Sequence, residues 1–311
     1  PVGCSVAFWS RLGHATILPS CGGGGFVQQR LTELNRIDLA RADYDYLLKQ
    51  IGLLMEGVLV QAFTPQLGTV LYRGVPYENK PMATSFLGAP PAEIVTGFQR
   101  CNPPGKPMFY ASIDPNAIFA ELDAKVGSKI YLSTWTVVEN FYYFRIPPRA
   151  NEESQSSPAY AKTETFFETR FAQPIHETFS EQYKLTAAIA EQLSGKPVVP
   201  RVPIRQMPKL AAVAYPSVAH KGRPDNIAIR PEVAASCLKL ENVTELIIVD
   251  RETDSWSVEA IDFSAGFSNG VISWNGRPPQ WAGLTGEITN ISIGNNGWIA
   301  NRADGTFVPA L

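Results

Sequence analysis

Between Lys129 and Ile146 the chain reads KIYLSTWTVVENFYYFRI, two apolar runs rich in β-branched and aromatic residues, and both have strand character. They commit the chain to a sheet, so the rest of the sequence is read for the elements that complete it. In GTVLYRGVPY, Val70 and Tyr72 alternate with Leu71 and Arg73 on a short strand ahead of a Gly-Val-Pro turn. PMFYASI is a further strand, followed by a helix that Asp114 can cap with Pro115 at the first helical position. KLAAVAYPSVAH and DNIAIRPE read as a strand, an exposed loop and a partner strand. Beyond Cys237 the chain is short strands with Asn-Gly, Asn-Gly-Arg-Pro-Pro and Asn-Asn-Gly turns: LKLENVTELIIVDRE, WSVEAIDF, GVISWNG, GEITNISIG and GWIANR.

Helical periodicity occurs in two places. From Phe26 to Val60, Leu39, Tyr46, Ile51, Leu54 and Val58 mark a helical pattern, the last three at three- and four-residue steps, with no proline between them. IHETFSEQYKLTAAIAEQLSG is the second, expected to start at Thr178 or Ser180 and close at Gly195, with Ile189 and Leu193 continuing the apolar row from Leu185. Pro147 to Lys162 is polar and Pro/Ser-rich and reads as a surface loop. CGGGG, ending at Gly25, reads as a hinge, because no Lys-Ser/Thr follows at the spacing a phosphate loop needs. The expected class is α+β, with a mixed or antiparallel sheet core. Residues 1–68 form an N-terminal helical segment, 69–240 the core, and 241–311 a β-rich extension packed on that core without supplying catalytic groups.

Composition narrows the function. With 45% hydrophobic and 18% charged residues the chain is globular, and a net charge of −2 argues against a general nucleic-acid binder. His14, His176 and His220 lack metal-ligand spacing, so no metal is expected. Cys4, Cys21, Cys101 and Cys237 form no CxxC pair, and a reducing compartment, the cytoplasm, is the default. No apolar run reaches the roughly 18 residues that span a bilayer, and no signal peptide is read at the start.

The chemistry-bearing stretch is FQRCNPPGKPMFYASIDPNAIFAEL, Phe98 to Leu122. A Pro-Pro-Gly turn, a strand and a helix follow one another, and they either solvate Arg100, Tyr110 and Glu121 or aim them into one pocket. Arg73 at a strand end and Ser217 in YPSVAH are the other candidates, each with a bland alternative as a solvated arginine or a turn serine. No Gly-x-Ser-x-Gly elbow surrounds Ser217, which disfavours a hydrolase triad.

In order, LYRG, RCNPPGKPMFYASIDPNAIFAEL, YKLTAAIAEQL and AVAYPSVAHKGRPDNIAI resemble the RES family, named for an arginine, a glutamate and a serine. The resemblance runs from about Thr69 to Pro231. Gln99-Arg100-Cys101 stands where that family often has Gly-Arg-aromatic. RES proteins are similar in fold to ADP-ribosyltransferase toxins, act on NAD as glycohydrolases or phosphorylases, and are usually restrained by an antitoxin. Some are reported as ADP-ribosyltransferases.

The resemblance implies NAD as substrate, not cofactor, cleaved at the nicotinamide–ribose bond. Arg73 and Arg100 would take the pyrophosphate through guanidinium forks. Glu121 would stabilise the ribosyl cation as nicotinamide leaves. Tyr110 would offer an aromatic face, Ser217 would hold ribose or carboxamide, and Asn226 would brace its loop, so that Arg73, Arg100, Tyr110, Ser217 and Asn226 together would bind NAD. Catalysis would then rest on Glu121, Arg73 and Ser217. An antitoxin or immunity protein would be the partner, with no nucleic acid or membrane involved. Action in the cytoplasm leaves delivery as a secreted effector open, as it does a homodimer. A mono-ADP-ribosyltransferase and a catalytically idle binding module are the alternatives.

Overall fold

The computed structural model describes residues 9–11, 24–55, 62–147, 158–175, 177–194, 210–252, 255–279, 288–294, 297–302 and 306–309. The expectations for Cys4, His14, Cys21, Val58, His176 and Gly195 lie outside the described residues.

The chain begins with β1 (Trp9–Arg11), α1 (Gly24–Arg36), α2 (Tyr44–Leu54), β2 (Phe63–Pro65) and β3 (Val70–Val75). A long connection with 3₁₀ turns at Thr84–Leu87 and Ala92–Ile94 leads to β4 (Phe109–Ser112) and α3 (Pro115–Glu121). Next come β5 (Lys129–Val137), β6 (Tyr142–Arg145), α4 (Pro158–Phe171), a 3₁₀ segment (Glu177–Tyr183) and α5 (Lys184–Leu193). The chain continues through β7 (Leu210–Pro216), β8 (Asp225–Ile229), α6 (Pro231–Cys237), β9 (Leu238–Arg251) and β10 (Trp256–Ser264). A hairpin of β11 (Gly266–Ser268) and β12 (Val271–Ser273) follows, and β13 (Ile288–Gly294), β14 (Gly297–Arg302) and β15 (Phe307–Pro309) form a separate three-stranded sheet.

Among the described residues the main sheet has ten strands in the order β1-β2-β6-β7-β8-β4-β3-β5-β9-β10. All neighbours are antiparallel except β6 and β7. A parallel pair cannot be joined by a tight turn and needs a crossover. Here the crossover contains α4 and α5. With α1 and α2 those helices cover one face of β6–β8, burying Leu47, Ile51, Phe171, Ile189 and Leu193 against Phe144, Val213 and Ala228. The other face of the sheet closes over Leu71, Phe109, Tyr131, Trp135, Tyr143 and Ile227. α3 packs on Tyr72, Ile130, Leu132 and Leu246. The molecule is thus α+β with a large mixed sheet.

Several local expectations need correction. The helical pattern from Phe26 is broken at residues 37–43, because Asp43 turns back to cap α2, its side chain accepting from the Tyr46 N–H at 2.9 Å. The residues before Thr69 also supply two strands, β1 and β2, to the main sheet. The helix expected from Thr178 or Ser180 is a 3₁₀ segment kinked at Phe179, and the α-helix proper starts at Lys184. Pro158 opens α4 inside the stretch read as a loop, and Pro231 opens α6, which periodicity did not reveal. β9 begins at Leu238, just ahead of the expected boundary at 241, and pairs along the whole of β5. Trp256 and Trp274 pack inward, Trp256 on Phe119 with centroids 6.1 Å apart and Trp274 on Tyr131 at 5.9 Å.

One expected junction is found as read. Asp114 caps α3, its carboxylate accepting from the Asn116 N–H at 2.8 Å with Pro115 at the first helical position. Gly74 lets this helix lie against β3: a Cβ there would stand 2.4 Å from Ile118 Cγ2, closer than packed atoms approach. Glu121 is the last residue of α3.

Candidate functional site

β3 and β4 share a single paired position, Tyr72 opposite Ser112, and beyond it they part. A cleft of about 600 Å³ opens in the gap, lined by Arg73 to Pro76 on one side and Met108, Tyr110 and Ala111 on the other. Such a volume lies within the range of small-molecule sites. α3 contributes Ile118 and Glu121 to its wall, the Pro-Pro-Gly loop contributes Phe98 to Arg100, and the kinked 3₁₀ segment contributes Ser180 and Tyr183. Tyr215 and Asn226 from β7 and β8 complete the lining. Five of the six expected residues, Arg73, Arg100, Tyr110, Glu121 and Asn226, therefore meet on one cavity. Ser217 does not line it.

Arg73 spans the parting strands. Its Nη1 donates to the Tyr110 carbonyl at 2.9 Å and its Nε to the carbonyls of Leu87 and Gly88 at 3.1 and 3.2 Å. Its guanidinium also lies 5.2 Å from the Phe109 ring centroid. The strand parting leaves the Tyr110 carbonyl without a partner on β3, and the arginine supplies one. Burial pushes the Arg73 pKa down to about 10, opposed by Tyr77 and Tyr110, so the cation persists at neutral pH.

Arg100 is 7% exposed, and its Nη1 donates to the carbonyls of Phe171 and Gln173 at 2.7 and 3.3 Å, at the end of α4. The negative end of that helix offsets part of its charge. Tyr183 and Tyr215 face it, their centroids 5.2 and 5.7 Å from the guanidinium carbon. Among the described residues neither Arg73 nor Arg100 has a carboxylate partner. That is costly for a buried cation unless an anion is supplied.

Tyr110 has its hydroxyl committed elsewhere. It donates to Asn102 Oδ1 at 2.6 Å and accepts from the Cys101 N–H at 2.9 Å, so it pins the Asn-Pro-Pro-Gly turn that carries Arg100. Burial raises its pKa well above the ordinary tyrosine value and keeps the hydroxyl a donor. Burial also raises the thiol of Cys101, which leaves it a core residue with no nucleophilic role.

Glu121 is exposed to the cleft yet held from behind. Ser217 Oγ donates to its Oε1 at 2.6 Å and Asn226 Nδ2 donates to the same oxygen at 2.7 Å. Ser217 is 0% exposed, its N–H donates to the Pro224 carbonyl, and its hydroxyl accepts from the His220 N–H at 3.3 Å. It stands behind the carboxylate, fixing Glu121 in place. Among the described residues Oε2 of Glu121 has no hydrogen-bond partner, so this oxygen is the one available to a ligand.

Asp225, beside Asn226, forms a two-pronged ion pair with Arg145, both contacts 2.9 Å, which ties β8 to β6 across β7. The same cleft contains Tyr183, Tyr215 and Phe98, which the sequence did not single out. Tyr215 is detectable in retrospect, two positions before Ser217 in the same motif. Tyr183 opens the stretch YKLTAAIAEQL, but only the kinked 3₁₀ segment that ends on it brings it to the cleft. Among the described residues no group of three or more histidine, cysteine or acidic side chains is placed to hold a metal. Among the same residues no helix is long and apolar enough to cross a membrane. No family model matches the chain, and no curated protein matches it.

Proposed function

We propose that this chain is a RES-type enzyme that cleaves the nicotinamide–ribose bond of NAD+. The observation that carries the reading is the charge arrangement of the cleft. Two partly or fully buried guanidinium groups, neither paired with a carboxylate among the described residues, share one cavity with a fixed carboxylate. A pyrophosphate supplies the anion that Arg73 and Arg100 lack, through charge-assisted hydrogen bonds. Glu121 faces the opposite charge: as the glycosidic bond breaks, nicotinamide departs with the bonding electron pair and leaves a ribosyl oxocarbenium cation. A carboxylate already fixed by Ser217 and Asn226 stabilises that cation without reorganising. Nicotinamide is a good leaving group, so no general acid is required. Water then adds at the anomeric carbon and loses a proton, giving ADP-ribose, or phosphate adds in its place.

On the same reading the fold is of the ADP-ribosyltransferase-like type, and the activity, which depletes NAD+, is that of a cytoplasmic toxin or effector held in check by an antitoxin. The motif order from Thr69 to Pro231 supports both statements. The test is incubation with NAD+, with and without phosphate, followed by product identification. Nicotinamide release is expected, and a folded Glu121→Gln protein should lose it by about a hundredfold or more. No release by the unaltered chain overturns the reading, and full release by Glu121→Gln removes Glu121 from it. Modification of a protein acceptor in place of free ADP-ribose would make the chain a mono-ADP-ribosyltransferase.

A further inference from the structure

We infer that Tyr215 is a substrate-binding residue: its hydroxyl joins Arg100 in holding an oxyanion of the ligand that fills the cleft. The identity of the ligand rests on the NAD+ reading above, on which that oxyanion belongs to the pyrophosphate. Three tyrosines line the cleft with Arg100, and they differ in what their hydroxyls do. That of Tyr110 is spent on Asn102 and on the Cys101 N–H. That of Tyr183 donates to the Ile175 carbonyl at 3.1 Å. Tyr215 is 4% exposed, and among the described residues its hydroxyl forms no hydrogen bond. Buried polar groups are rarely left unsatisfied, and one on the wall of a cleft calls for a partner from whatever fills it.

The kind of partner follows from the neighbours. The Tyr215 ring packs on Phe171, centroids 5.6 Å apart, and lies 5.7 Å from the Arg100 guanidinium carbon. Glu121 is not the missing acceptor, because its hydrogen bonds come from Ser217 and Asn226. Burial raises the Tyr215 pKa well above the ordinary tyrosine value, so the hydroxyl keeps its proton and is available as a donor. Arg100 beside it is a buried cation with no carboxylate partner among the described residues. Two neighbouring donors, one charged and one neutral, both short of an acceptor, match a single oxyanion. A neutral ligand would satisfy the hydroxyl and leave the cation uncompensated.

The test is calorimetric titration with ADP, which carries the pyrophosphate but no nicotinamide to release, into the unaltered chain, Tyr215→Phe, Arg100→Ala and the double variant. Phenylalanine keeps the ring against Phe171 and removes only the hydroxyl, and circular dichroism checks the fold. ADP affinity should fall about tenfold or more in Tyr215→Phe, the effect of losing a hydrogen bond to a charged group. The same change made in Arg100→Ala should cost much less, because the two residues act on one anion. Unchanged affinity in Tyr215→Phe, equal losses in the two backgrounds, or no ADP binding by the unaltered chain overturns the inference. An equal loss for adenosine, which has no phosphate, also overturns it, since the hydroxyl would then meet the nucleoside. Nicotinamide release from NAD+ by the unaltered chain, measured alongside, keeps the two readings apart. Release with ADP affinity independent of Tyr215 overturns this inference alone. ADP affinity that depends on Tyr215 without any release overturns NAD+ cleavage and leaves the oxyanion contact standing.

Discussion

Replacing Ser217 by alanine separates two roles that the sequence could not tell apart. The hydroxyl is fully buried and lies outside the cleft lining, yet donates to Glu121 Oε1 at 2.6 Å. A hydrogen bond to a charged group is worth about 1.5–3 kcal/mol. If all of that were spent on fixing the carboxylate, its loss would slow the chemical step by about ten- to a hundredfold, at about 1.36 kcal/mol per tenfold. Asn226 still holds the same oxygen at 2.7 Å, and Glu121 is exposed enough for water to replace part of the lost contact. The lower figure is therefore expected, about tenfold in kcat. KM for NAD+ should stay within a factor of about two, because a residue that never touches substrate removes no ground-state binding. Nicotinamide release over a range of NAD+ concentrations, on protein whose fold is checked by circular dichroism, measures both constants. A large rise in KM with kcat unchanged would refute the positioning role and make Ser217 a substrate contact.

Arg73→Ala and Arg100→Ala should each weaken NAD+ binding by about 1.5–3 kcal/mol, read by calorimetry, and Arg73→Lys should recover only part because an ammonium cannot span the parted strands with the same fork. Full affinity in both alanine variants would mean that the arginines serve the strands alone. Lys80 ion-pairs at 2.7 Å with both Glu245 and Asp262, carboxylates on β9 and β10 that are each 3% exposed. Lys80→Met should cost about 3 kcal/mol in urea unfolding, since it takes the cation from buried Asp262 and leaves Glu245 with Lys129 alone. Burial alone would raise the Asp262 pKa, but hydrogen bonds from Lys80 and from the Phe263 and Arg277 N–H groups lower it below the ordinary 3.8. Its stabilisation is therefore present above that value and fades as pH falls through the lowered one. Burial opposes the raised Lys80 pKa, which Asp262 and Glu245 carry above 10.5, so its share is complete below 10.5 and fades as pH rises past the folded value. The penalty of Lys80→Met should thus be greatest between those limits and shrink in acid. A penalty independent of pH would show that the cluster is not ion-paired in solution.

Much of the secondary structure was written locally. The β-branched and aromatic runs that became β5, β6, β7 and β8, and the Asp114-Pro115 start of α3, depend on neighbouring residues, so a single sequence carries them. So do the candidate identities Arg73, Arg100, Tyr110, Glu121, Ser217 and Asn226, which recur in motif order. Register and strand order do not lie in any local window. The sequence offers no sign that β3 and β4 separate after one paired position, because that follows from which strand each pairs on its far side. The cleft exists only through that parting. The division of labour among the candidates was likewise set by long-range contacts: Ser217 meets Glu121 across 96 positions and Asn226 across 105. Arg100 reaches the end of α4 across 71. A side chain's chemistry is fixed by its type, but whether its polar atoms are spent on the protein or left for a ligand depends on what the fold brings within about 3 Å.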